Sequence, residues 1–152
     1  MQAKLKAGQE VTIAYIGASI SEGAWRPKVT QWFQKEYDGY RFNEDAVKKL
    51  TELVKEDLTI KIVMGSWCPD SRREVPRFIK ILDYLKFPAE KIVYIGTDIS
   101  KIAPVGGYNQ LDIQRVPTFI FYKKNVEAGR IIEVPLTSLE QDMVNILTRN
   151  EK

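Results

Sequence analysis

The sequence predicts an α/β fold with a central mixed β-sheet flanked by helices, preceded by an N-terminal extension. Three observations predict it. Leu58 to Met64 is a short run of apolar and β-branched residues, the pattern of a buried strand, and an amphipathic helical pattern follows it directly. A second apolar run, Lys91 to Thr97, comes after that helix, and strand–helix–strand alternation implies a parallel pair. Two further runs, Thr118 to Tyr122 and Arg130 to Val134, lie close enough for an antiparallel hairpin through Lys123 to Gly129.

Each element has a local reason. Val11 to Ile16 reads as a first strand or an extended arm, and Gly17 to Pro27 as a loop. Lys4 and Lys6 ahead of that apolar stretch faintly suggest an export signal. Glu10 interrupts it, however, and no small-x-small site follows, so the strand or arm is the preferred reading and a cytoplasmic location the expectation. Val29 to Tyr37 carries Trp32 and Phe33 on a short helix. Asn43 is an N-cap for a helix with Ala46, Val47, Leu50, Leu53 and Val54 on one face. Pro69 suits the first position of a long helix running to about Lys86, because it has no N–H to leave unpaired. Pro76 falls inside that helix and should kink it. Ile99 to Arg115 is irregular, with Pro104, Gly106 and Gly107 and room for one helical turn. Ser138 caps a last helix with Leu139, Met143, Ile146 and Leu147 on its stripe. The expected division is an extension over residues 1–40 that packs on a domain over residues 41–152.

Composition excludes several kinds of chemistry. The 152 residues contain 44% apolar side chains, enough for a core, and no apolar run long enough to span a bilayer. The formal net charge is +3, and the basic residues come in pairs rather than blocks, so neither a nucleic acid nor a membrane span is expected. There is no histidine, which rules out a Ser-His-Asp or Cys-His site within this chain and a histidine-ligated zinc. With one cysteine, no intrachain disulfide forms and a thiolate metal site is not expected; no cofactor is implied.

That one cysteine, Cys68, stands between the strand and the helix in Trp67-Cys68-Pro69-Asp70-Ser71. As cap residue of the helix its sulfur would face the unpaired N–H groups of the first turn, which favour the thiolate. Asp70 suits the helix dipole but opposes a thiolate, and Arg72 or Arg73 can offset it. A buried, inert cysteine is the plain alternative. A lowered pKa brings little net gain in attack, because nucleophilicity falls with it; its main benefit is that such a thiol leaves easily.

Trp67-Cys68-Pro69-Asp70-Ser71 resembles the Trp-Cys-x-x-Cys active site of the thioredoxin superfamily, and Val116-Pro117-Thr118 resembles its second signature. Pro76, eight residues after Cys68, falls where that family's long helix commonly carries a proline. The resemblance covers about Glu44 to Thr148. It implies a thioredoxin-like fold, with Cys68 as nucleophile and a cis Pro117 facing it. Trp67 would form an apolar wall, Pro69 and Thr118 would border the groove, and the backbone at Val116 would pair with an extended substrate. Two departures stand out. Ser71 replaces the resolving cysteine, and Ile62 occupies the place where many thioredoxins bury an acid. The resemblance therefore implies thiol–disulfide exchange by a monothiol mechanism, with Ser71 available to hydrogen-bond the thiolate. The partners would be protein disulfides or mixed disulfides and an external reducing thiol. The alternative is a redox-inactive binding or chaperone module using the groove around Cys68 and Pro117. A third reading makes Ser71 a substituted residue that traps covalent intermediates. Val11 to Gly23 also resembles the first block of SGNH-type esterases, with Ser19 as nucleophile, but that family needs a histidine.

Overall fold

The computed structural model describes residues 32–149, apart from Glu56 and Pro104. The strand expected at Val11 to Ile16 lies outside these residues, as do Val29 to Gln31. In chain order the elements are helix α1 (residues 32–39), α2 (Glu44–Leu53), β1 (Leu58–Met64), α3 (Pro69–Tyr84), β2 (Ile92–Gly96), β3 (Thr118–Lys123), β4 (Val126–Ile132) and α4 (Leu139–Thr148). The strands form one mixed sheet in the order β2-β1-β3-β4. β1 and β2 are parallel, with Ile62 opposite Tyr94; β1 and β3 are antiparallel, with Ile62 opposite Phe119. The expected α/β architecture of a mixed sheet flanked by helices is therefore what the chain adopts.

Side-chain alternation along β1 divides the interior. Leu58, Ile60, Ile62 and Met64 join the main core, which also takes the buried residues of α1, α2, α3 and α4. Phe78 of α3 stacks on Phe119 of β3 with ring centroids 4.2 Å apart. Val63 and Ile95 point to the other side of the sheet. There they join a smaller cluster with Cys68, Ala103, Tyr108 and Val116. Phe33 of α1 is buried in the main core. Tyr40 donates to Glu140 at 2.7 Å and Tyr37 to Asp83 at 2.8 Å, so the segment before α2 is tied to both α3 and α4.

Both expected caps are present. Asn43 Oδ1 accepts from Ala46 N–H at 3.0 Å, and Ser138 Oγ accepts from Gln141 N–H at 3.1 Å. Pro76 lies buried inside the unbroken α3. The hairpin differs from expectation. β4 starts at Val126 and ends at Ile132, because Lys124 and Asn125 both adopt positive φ, 50° and 65°, and close a two-residue turn. Glu133, at φ 64°, then turns the chain out of the sheet before Val134. Among the described residues no helix is long and apolar enough to cross a membrane.

Candidate functional site

The site forms where β1 runs into α3. Gly65 leaves the strand, Cys68 N–H donates back to the Gly65 carbonyl at 3.0 Å, and Pro69 opens the helix. Cys68 is the N-cap, in an extended conformation, and its carbonyl accepts the first helical bond from Arg72 N–H at 3.0 Å. Its side chain makes no capping bond. The sulfur instead points across the chain to the Val116 carbonyl, 3.5 Å away. The peptide bond that follows, Val116–Pro117, is cis. The strand-to-helix turn and the loop before β3 thus meet at the thiol.

Trp67 is half-buried, and its indole Nε1 donates to the Thr97 carbonyl at 3.1 Å. The ring covers Gly65 so closely that a Cβ there would fall 2.5 Å from Trp67 Cε2 and Nε1. Only glycine fits beneath the indole. Sequence reading missed Gly65, since a lone glycine at the end of a strand carries no signal that separates a packing site from an ordinary turn.

Ser71 is fully buried, and its Oγ accepts from the Gly65 N–H at 3.1 Å. The hydrogen bond expected between Ser71 and the sulfur is not among those formed by the described residues. Thr118 is buried as well, with its hydroxyl donating to the Arg115 carbonyl at 2.6 Å. Pro117 is buried and Pro69 exposed. Asp70 pairs with Arg73 at 2.6 Å, and Arg73 also reaches Glu74 at 2.7 Å; Arg72 is turned aside, onto the Ser66 carbonyl at 2.6 Å. Of the two arginines, Arg73 is the one that offsets Asp70. The two carboxylates hold the Arg73 guanidinium above its ordinary range, Glu74 contributing most.

Trp67, Cys68 and Val116 line an open cleft of about 390 Å³, joined by Asp70, Lys101, Gln114, Arg115 and Glu133. Cys68 lines it and is 7% exposed. Sequence reading missed the last four. Lys101, Gln114 and Arg115 fall in the irregular stretch, and Glu133, inside the stretch expected to be strand, follows the end of β4 at Ile132. Arg115 and Glu133 pair at 2.6 Å across the rim. No cluster among the described residues has the histidine, cysteine or carboxylate set to hold a metal. The arrangement offers a thiol beside the Val116 carbonyl, an aromatic wall and a charged rim.

No family model matches the chain. Thioredoxin H5 of rice (Oryza sativa subsp. japonica) is 32% identical over 84 residues, which is 55% of this chain. The match spans 58% of the length of that relative. Among solved structures, a thioredoxin of Fasciola hepatica is 18% identical, covering 68% of this chain and 90% of its own, with a TM-score of 0.43. A thioredoxin of Plasmodium falciparum is 16% identical, covering 66% and 88%, with a TM-score of 0.42.

Proposed function

We propose that this chain is a thioredoxin-like protein and that Cys68 carries out thiol–disulfide exchange by a one-thiol mechanism. The observation that carries the reading is the placement of the Cys68 sulfur. Cys68 is the N-cap residue of α3, its sulfur sits 3.5 Å from the Val116 carbonyl and it lines an open cleft, while Ser71 stands where a second thiol would be needed. The Cys68 thiolate attacks one sulfur of a disulfide; a new S–S bond forms and the other half departs as a thiolate with the electron pair, then takes up a proton. The mixed disulfide on Cys68 stays until an external thiolate attacks it and releases Cys68 in turn. The substrates in this reading are protein disulfides or mixed disulfides.

We place the working unit at residues 41–152, with residues 32–40 packed on it. The burial of Phe33 and the Tyr40–Glu140 bond support this arrangement.

Exchange with a glutathionylated peptide tests the mechanism. Cys68→Ser abolishes exchange. The wild-type protein accumulates its mixed disulfide until a second thiol is added, whereas Ser71→Cys releases the product unaided. Retained exchange in Cys68→Ser, or unaided release by the wild type, overturns the reading. A Cys68→Ser protein that binds substrate but never exchanges leaves the groove's binding role separate from the chemistry.

A further inference from the structure

The geometry points to Lys101 as the specificity residue of this cleft, selecting disulfides that carry a carboxylate close to the reacting sulfur. The inference rests on the exchange reading above and adds the chemistry of the substrate. Besides Cys68, the ionisable residues lining the cleft are Asp70, Lys101, Arg115 and Glu133. Three of them are neutralised within the protein. Asp70 is paired with Arg73 at 2.6 Å, and Arg115 with Glu133 at 2.6 Å. Lys101 is the remaining one, and its ammonium forms no ion pair with any described residue. The carboxylate nearest in sequence, Asp98, is turned into its own loop, where Oδ1 accepts from Ser100 N–H at 2.9 Å and Ile102 N–H at 3.0 Å.

The loop holds Lys101 in place. Its N–H donates to the Asp98 carbonyl at 2.9 Å, and its carbonyl accepts from the Tyr108 hydroxyl at 2.6 Å. Tyr108 is itself buried in the cluster that includes Cys68. Lys101 adopts φ 62°, a left-handed conformation that glycine or asparagine reaches at lower cost. A lysine fixed there by tertiary contacts brings one positive charge to the same cleft as the thiol. That charge attracts a carboxylate on the incoming disulfide and leaves a neutral disulfide unaffected. The carboxylate has two sources, a small acidic thiol such as glutathione or an acidic residue beside a cysteine in a peptide.

The test is the second-order rate at which reduced full-length protein forms a mixed disulfide, followed by mass spectrometry at low salt. Three small probes serve: bis(2-carboxyethyl) disulfide, bis(2-hydroxyethyl) disulfide and cystamine. The wild-type protein prefers the carboxylate probe to cystamine. Lys101→Gln lowers that preference by about threefold, as expected for one exposed charge pair, and Lys101→Glu lowers it further. Lys101→Arg retains it, salt erodes it, and the hydroxyethyl rate stays constant throughout. Glutathione disulfide and a disulfide-linked peptide with aspartate beside its cysteine then separate the sources, by which of them loses more rate in Lys101→Gln. An unchanged preference in both Lys101→Gln and Lys101→Glu overturns the inference, as does an equal loss toward all three probes. Failure of the wild type to react with any probe overturns the exchange reading itself, and this inference with it. A reactive Cys68 that is indifferent to charge overturns the inference alone.

Discussion

Replacing Ser71 with alanine separates a scaffold role from a catalytic one. Ser71 Oγ is fully buried and accepts the Gly65 N–H at 3.1 Å. The alanine variant leaves that backbone donor unpaired, because Gly65 is buried and water cannot replace the hydroxyl. An unsatisfied buried N–H costs about 1–3 kcal/mol, and the lost atom is too small to add a large cavity penalty. Urea unfolding followed by circular dichroism should therefore show a loss of about 2 kcal/mol with an unchanged slope. The rate of mixed-disulfide formation at Cys68 should hold within about twofold under conditions where both proteins are folded. A loss below about 0.5 kcal/mol would refute the scaffold role. A tenfold slower exchange with little loss of stability would show that the hydroxyl acts on the sulfur after all.

Gly65→Ala sets a Cβ 2.5 Å from the Trp67 indole and forces the ring off the Thr97 carbonyl. We expect a loss of about 2–3 kcal/mol and a changed tryptophan emission; wild-type stability would contradict the close packing. Phe78→Ala removes a fully buried ring stacked on Phe119 and should cost about 3–5 kcal/mol in the same unfolding assay. Asp83 gives a pH test. Burial raises its carboxyl above the ordinary range, so the folded state binds the proton more tightly, and stability falls as pH rises through the folded value. Asp83→Asn keeps an acceptor for the Tyr37 hydroxyl and removes that cost. Solvent reaches Asp83, so the variant should gain only a few tenths of a kcal/mol at pH 7, about 0.5 at most, and nothing below about pH 3.9. A gain that grows at low pH would contradict the sign.

Local signals accounted for much of this architecture. Asn43 and Ser138 cap their helices through side-chain oxygens, as their positions before apolar stripes imply. The apolar run of β1 and the stripes of α2 and α4 correspond to the buried residues observed. The hairpin was misplaced because its turn is Lys124-Asn125, without the glycine that usually marks positive φ. The cleft was only half legible. Trp67, Cys68 and Val116 sit in short motifs, but Lys101 reaches the cleft through bonds to Asp98 and Tyr108 that no local pattern encodes. Glu133 does so through a turn at the end of β4 and its pairing with Arg115. Such long-range placements belong to the tertiary structure.

Ile62 and Ser71 are best understood together. Ile62 is fully buried in β1, between Tyr94 of β2 and Phe119 of β3 in the sheet register. A carboxyl at that depth would lose several kcal/mol of hydration unless paired. In the two-cysteine sites that the Trp67–Ser71 motif resembles, a buried acid at this place assists proton transfer to the resolving thiol. With a serine at position 71 there is no resolving thiol to deprotonate, so an acid would bring its burial cost and no return. Isoleucine instead fills the space with apolar contact. Ser71, three residues after Cys68, accepts the Gly65 N–H through its oxygen. It thereby fixes the turn on which Trp67 lies and from which Cys68 starts the helix. On the one-thiol reading proposed above, the position that would resolve the intermediate in a two-cysteine site instead holds the turn before Cys68, and release of the mixed disulfide falls to a thiol from outside.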